Sequence, residues 1–155
     1  MDNNYCQVVG RKEAILWPPT KADKMYLVGD KSRVVDFEHP DLEQFPLFPL
    51  AQQYKADLQP GDILFIPALW FHNMLARDFG VAVNVFWREL EFKLYDQKDP
   101  YGNKDHLPAA KAMRMLDNVM RQLQDLPEEY KDFYARRLVL RVQEKCYSKT
   151  NMGKE

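Results

Sequence analysis

Between residues 4 and 87 the apolar positions come in short runs that never settle into a helical period. YCQVV, EAILW, RVVDF, YKADL, DILFI and GVAVNVFW are rich in Val, Ile, Phe and Tyr, and Pro or Gly repeatedly cuts between them. Runs of this length and composition predict β-strands. Residues 54–58 alternate and are followed by the turn signal Pro60, Gly61, Asp62, so residues 63–66 are expected to pair antiparallel nearby. Residues 21–50 contain PDLEQFPLFPL, whose prolines exclude a long helix. A covering loop with one short helix near residues 40–44 is predicted there. Many short strands separated by turns predict a barrel or sandwich rather than a parallel sheet.

Beyond Asp105 the period lengthens from about two to about 3.6. Met113, Leu116, Met120 and Leu123 make one stripe, and Tyr130, Tyr134, Leu138, Val142 and Cys146 make another. Two helices are predicted, forming a hairpin. In LQDLPEE between them, Asp125 is placed to cap, Glu128 to complete a capping box, and Pro127 to occupy the first turn. The polar tail, residues 148–155, is expected to fray. The fold class expected is mainly β with C-terminal α, residues 1–103 forming the β part and residues 104–155 the helical hairpin.

Composition narrows the setting. A chain of 155 residues that is 46% hydrophobic and 13% aromatic has the makings of a globular core, and a net charge of -1 argues against a nucleic-acid tail or polybasic membrane anchor. Cys6 and Cys146 stand at opposite ends without C-x-x-C spacing, and neither a signal peptide nor a long apolar run is evident. A reducing cytoplasmic or nuclear location, away from membranes, is expected.

The candidate chemistry gathers around PGDILFIPALWFHN. His72 follows an apolar run, where an imidazole needs a partner: a backbone carbonyl if it is a core residue, a ligand if it lies in a site. Pro67 and the aromatic before His72 put it at the start of a strand, near a barrel mouth. About twelve residues on, Asn84 interrupts another apolar strand, and two polar groups inside one apolar barrel suggest a site. Paired carboxylates such as Asp57 with Asp62, or Glu128 with Glu129, fall at turns and helix starts, which attract acids regardless. The basic residues Arg114, Arg121, Arg137 and Arg141 are interleaved with acids, as on a solvated face, and Trp17, Trp70 and Trp87 occupy strand positions suited to a core.

GDILFIPALWFHN followed by GVAVNVFW resembles the second half of a JmjC-type, cupin-like 2-oxoglutarate- and Fe(II)-dependent oxygenase. YDQKDPYGNKD and LPEEYKDFYARR are similar to the branch that hydroxylates a hypermodified guanosine of tRNA in wybutosine biosynthesis. The resemblance implies a double-stranded β-helix (cupin or jelly-roll), incomplete here, with His72 as the distal histidine of an iron facial triad. It further implies that Lys12 binds the distal carboxylate of 2-oxoglutarate and that Asn3 and Asn84 lie near co-substrate and metal. Without the resemblance, Lys12 reads as an exposed strand lysine and the two asparagines as core amides.

In the family a His-x-Asp pair lies just ahead of the segment that resembles Met1, Asp2 and Asn3. The resemblance therefore implies that two of three iron ligands are absent, and His39, His106 and Asp2 are not spaced to replace them. Fe(II) and 2-oxoglutarate are expected to bind poorly to the chain alone, and exposed sheet edges are expected. tRNA and a second copy of the chain, paired through the C-terminal helices, are the partners implied. A JmjC protein hydroxylase or demethylase, and a non-catalytic dimerisation or binding fragment, remain alternatives.

Overall fold

A computed structural model of the chain describes residues 1–29, 31–100 and 104–147. The fold divides into two units, Met1–Glu91 and Phe92–Glu155. Residues 101–103, within the YDQKDPYGNKD motif and at the expected boundary, and the tail 148–155 lie outside the described residues.

The first unit is built from β1 (Asp2–Val9), β2 (Lys12–Trp17), the short pair β3 (Leu27–Val28) and β4 (Lys31–Ser32), β5 (Tyr54–Leu58), β6 (Ile63–Ile66), β7 (Phe71–Ala76) and β8 (Val81–Trp87). Two antiparallel three-stranded sheets result, in the orders β6-β1-β8 and β5-β2-β7. The chain crosses between sheets at β1–β2, β5–β6, β6–β7 and β7–β8, the crossing pattern of a jelly-roll.

Side chains alternate across each strand, so register decides what each sheet buries. Tyr5 and Ile66 from the first sheet meet Ala14, Leu16 and Leu58 from the second in one buried cluster, which defines the facing sides. The opposite side of the second sheet holds Ile15 and Trp17, which pack with Met25, Val34, Phe45, Phe48 and Ala51 of the covering segment. Trp17 anchors that layer, its ring 5.3 Å from Phe37 and 5.9 Å from Phe48. The outer side of the first sheet carries Ile63, Phe65, Val83, Val85 and Trp87, all exposed.

Three local expectations are overturned. Residues 63–66 do not pair with residues 54–58. The intervening turn bonds to β1 instead, with Gly61 N–H donating to Gln7 O and Gln7 N–H to Asp62 O, which carries the chain into the other sheet. RVVDF is not a strand: Val34 is buried while Val35 is 86% exposed, and the Asp36 carboxylate accepts from Glu38 and His39 N–H to form a turn. No helix forms at residues 40–44, where Asp41 caps a single turn through Glu43 and Gln44 N–H. The helical character of the loop resides in 3-10 segments, Pro19–Lys24 and Phe48–Leu50.

The second unit contains α1 (Leu107–Leu123) and α2 (Glu128–Cys146), which touch across a short turn. The expected capping box is absent. Pro127, extended at φ -54° and ψ 150°, occupies the cap position, and Asp125 lies too far upstream to reach the first turn. A residue before proline is driven from helical geometry, so Leu126 cannot begin the helix. Neither helix buries a residue, and no described helix is long and apolar enough to cross a membrane.

Candidate co-substrate and metal site

The strand registers bring the four candidate site residues, His72, Lys12, Asn3 and Asn84, onto the facing sides of the two sheets. His72 lies opposite Leu16, and Lys12, on the same side of β2, lies opposite Ala76 and Leu58. Asn84 stands opposite Tyr5, and Asn3 opposite Phe86 and Ile66. Lys12 and Leu16 are four positions apart on one strand, so the Lys12 and His72 backbones are separated by roughly 13 Å along it. A short dicarboxylate and the four-carbon stem of lysine together can bridge that interval.

Burial differs sharply among these residues. His72 is exposed, contrary to the expectation of an imidazole enclosed by its apolar run, and its Nδ1 lies 3.2 Å from Trp70 O. The reason is that β7 is an edge strand paired only with β2. Asn84 is exposed on the edge strand β8 for the same cause. Asn3, on the central strand β1, is only 5% exposed, and its Oδ1 has no hydrogen-bond partner. A buried acceptor left unpaired is costly and marks a place where a ligand or water can donate.

Lys12 is half-buried, and its ammonium donates to Tyr5 Oη at 2.6 Å while lying 5.3 Å from the centre of that ring. Among the described residues no carboxylate pairs with it. Tyr5 was not singled out in the sequence. The signal that could have found it is the alternation Asn3, Tyr5, Gln7, three polar-bearing side chains on the buried side of one strand, each at most 6% exposed.

At the His72 end, a cleft of about 300 Å³ is lined by Trp17, Phe37, Trp70, Phe71, Lys31 and His72, among others. Trp70, expected in the core, thus borders a cavity, although it also packs on the inner cluster. Outside the second sheet, Glu13 pairs with Arg77 and Lys55, and Arg77 also reaches Glu38 of the covering segment. The hydrogen bond from Arg77 holds the Glu13 carboxyl below its ordinary value. Asp78 is likewise lowered, first by the Arg11 backbone N–H at 2.6 Å, a bond that ties the β1–β2 turn to the β7–β8 turn.

The residues present can be tested against the groups the resemblance implies. Among the described residues no three of His, Cys, Asp and Glu cluster so as to hold a metal ion. An iron triad therefore does not fit this chain's described residues by themselves; His72 offers a single imidazole. 2-Oxoglutarate fits better at one end, because Lys12 supplies a cation with no carboxylate beside it among the described residues; the unpaired buried Asn3 Oδ1 is an acceptor, which calls for a donor and not for a carboxylate.

Residues 1–92 match the model of the cupin-like domain. The chain is 52% identical over 151 residues to the tRNA wybutosine-synthesizing protein 5 of Gallus gallus, covering 97% of this chain and 48% of that protein. It is 54% identical over 147 residues to the protein of the same name from Danio rerio, covering 95% of this chain and 45% of the relative. The tRNA wybutosine-synthesizing protein 4 of Neurospora crassa is 35% identical over 154 residues, covering 94% of this chain and 13% of the relative. The chain thus spans about half the length of the protein 5 relatives it matches. With a jelly-roll crossing pattern, inward polar residues on both sheets and a domain match over the whole of the β unit, this chain belongs to the cupin-like domain family.

Proposed function

We propose that this chain forms the distal-histidine half of a 2-oxoglutarate- and Fe(II)-dependent oxygenase that hydroxylates tRNA in wybutosine synthesis. The observation that carries the reading is the placement of His72, Lys12, Asn3 and Asn84 on facing sides of one barrel interior. The names of the relatives support the tRNA assignment.

In this reading Lys12 binds the distal carboxylate of 2-oxoglutarate. An ammonium is a compact charge that suits an anionic end entering an apolar interior. Asn3 lines the inner wall, where its amide N–H group is the donor a carboxylate can accept from, and the apolar residues Leu16, Leu58 and Ile66 keep bulk water from the ligand's stem. His72 offers imidazole nitrogen to the metal at the mouth; iron supplies oxygen activation when two further ligands complete its site. The aromatic cleft beside His72 provides room for a planar substrate group.

We assign the helical unit to homodimerisation. Met113, Leu116, Val119 and Met120 of α1 and Tyr130, Phe133, Tyr134, Val139, Leu140 and Val142 of α2 are all exposed, and α2 is apolar around more of its circumference than one partner helix covers. Cyclic pairs are the commonest closed assembly.

The experiment is a chimera in which this chain replaces the 151 matching residues of the Gallus gallus relative. Succinate release that depends on tRNA is expected, and release stimulated by peptide substrates instead would assign the site to protein hydroxylation. A chimera that folds and binds 2-oxoglutarate but turns over with neither would defeat the proposal.

A further inference from the structure

The cleft beside His72 is flanked by both non-glycine residues that have a positive φ among the described residues. Leu69, at φ 69°, precedes Trp70, and Tyr26, at φ 49°, follows Met25; Trp70 and Met25 line the cleft. For side chains of this bulk the left-handed region is costly, and it persists only where the surroundings over-determine it. Tyr26 is pinned through its hydroxyl, which accepts from Leu47 N–H at 2.8 Å, and through its ring, 5.1 Å from that of Phe45. Leu69 is 71% exposed, so burial of its own side chain does not compensate its backbone. Its turn closes with Trp70 N–H donating to Pro67 O at 3.3 Å, which fixes where Trp70 stands. Trp70 O in turn lies 3.2 Å from His72 Nδ1, leaving Nε2 as the free nitrogen of the imidazole.

The cleft is chemically one-sided. Trp17, Phe37, Trp70 and Phe71 give it aromatic walls, and no carboxylate lines it among the described residues. Ser32 is committed to the fold, its hydroxyl donating to Met25 O and accepting from Val34 N–H. Lys31 is exposed at the cleft and pairs with no carboxylate among the described residues. Aromatic walls beside a free cation suit a planar ring system joined to an anion, which is the chemistry of a nucleotide. A volume of about 300 Å³ is at the lower end for ligand pockets and suits one ring system rather than a run of peptide side chains.

We infer that this cleft is a slot for a single RNA base, in which Trp70 stacks on the base and Lys31 holds an adjoining phosphate. The inference rests on the reading of the chain as part of a tRNA oxygenase, and it names the residues that select the nucleotide presented at His72. The strained turn at Leu69 sets the stacking ring in place before the base arrives, so less order is lost on binding.

The test uses the chain itself, without metal or 2-oxoglutarate. Fluorescence anisotropy compares an RNA hairpin carrying one purine in its loop with the same hairpin from which that base has been removed. The wild-type chain should prefer the purine hairpin by about tenfold, the discrimination that one stacked base supplies. Trp70→Leu should erase that preference and leave binding of the abasic hairpin unchanged, whereas Trp70→Tyr, which keeps a ring, should retain most of it. Lys31→Gln should weaken both hairpins alike and lower the slope of log affinity against log salt by about 0.7, one phosphate contact. Phe37→Leu, on another wall of the cleft, carries the same comparison if Trp70→Leu loses its circular dichroism.

A wild-type chain that binds neither hairpin, binds both equally, or favours an unstructured peptide overturns the slot. So does an undiminished purine preference in folded Trp70→Leu, or a parallel weakening of both hairpins by it. A chimera that never turns over, beside a chain that keeps its purine preference, would count against the oxygenase reading and leave the slot standing. A chimera that turns over, beside a Trp70→Leu chain with undiminished preference, would remove the slot and leave the oxygenase.

Discussion

Replacing Trp17 by alanine should detach the covering segment from the second sheet. Trp17 ends β2, is 1% exposed, and is tilted against both Phe37 and Phe48. A buried tryptophan removes roughly 200 Å² from water, worth about 5 kcal/mol at 25 cal/mol per Å² as an upper bound. A compact unfolded chain lowers that figure, and two aromatic pairs restore about 0.5–1.5 kcal/mol each. The expected loss is about 4 kcal/mol, within the range for large aromatic truncations and close to the whole stability of a marginal domain. Trp17→Phe, which retains a ring, should lose about 1–2 kcal/mol. Urea denaturation followed by circular dichroism measures both, and native-state hydrogen exchange should show protection lost first across residues 25–51. A loss below about 1.5 kcal/mol for Trp17→Ala would refute the reasoning, because it would mean that the outer cluster does not hold the segment that walls the His72 cleft.

In the chimera, Lys12→Ala should weaken 2-oxoglutarate binding by about 2–4 kcal/mol, roughly 30- to 1,000-fold, with metal binding nearly intact; an unchanged half-saturating concentration would rule out the carboxylate contact. Glu13 has a lowered carboxyl in the folded chain, chiefly through its Arg77 hydrogen bond. Its stabilisation is therefore complete above the ordinary value of 4.5 and is lost as pH falls below it, so Glu13→Gln should flatten the acid limb of stability, and an identical acid limb would remove Glu13 from that account. Leu138→Asp with Leu140→Asp should convert a wild-type dimer into helical monomers in sedimentation equilibrium at roughly tens of micromolar; a monomeric wild type, or a variant that loses its helical circular dichroism, would contradict the assigned interface.

Much of this architecture is written in local pattern. β5, β6 and β8 follow their apolar runs closely, and the change of period marks the two helices, because alternation and the 3.6-residue stripe report directly on which side is buried. Partner choice is less legible. The turn at residues 59–62 looks like a hairpin, yet its backbone groups bond to Gln7, a residue more than fifty positions away, and no local signal announces that. RVVDF fails as a strand because Asp36 uses its side chain to fold the following residues into a turn.

The site shows the same division. His72 and Asn84 were visible as polar breaks in apolar strands, but their exposure depends on β7 and β8 being edge strands, which is a property of the sheet order. Lys12 and Asn3 are legible only through the family resemblance, since by themselves they read as a strand lysine and a core amide. Tyr5 stayed hidden because a tyrosine on a strand reads as ordinary packing until a cation from the other sheet is found 2.6 Å from its hydroxyl.

Metal binding by the chimera tests the account's central claim most directly. Anaerobic titration with Mn(II), followed by electron paramagnetic resonance, should reveal one site per chain. His72→Ala should abolish or severely weaken that site, while His39→Ala and His106→Ala, which alter histidines outside the barrel strands, should leave it unchanged. Mn(II) bound by His72→Ala as tightly as by the unsubstituted chimera would contradict the assignment of His72, and with it the reading of this interior as half of an oxygenase site.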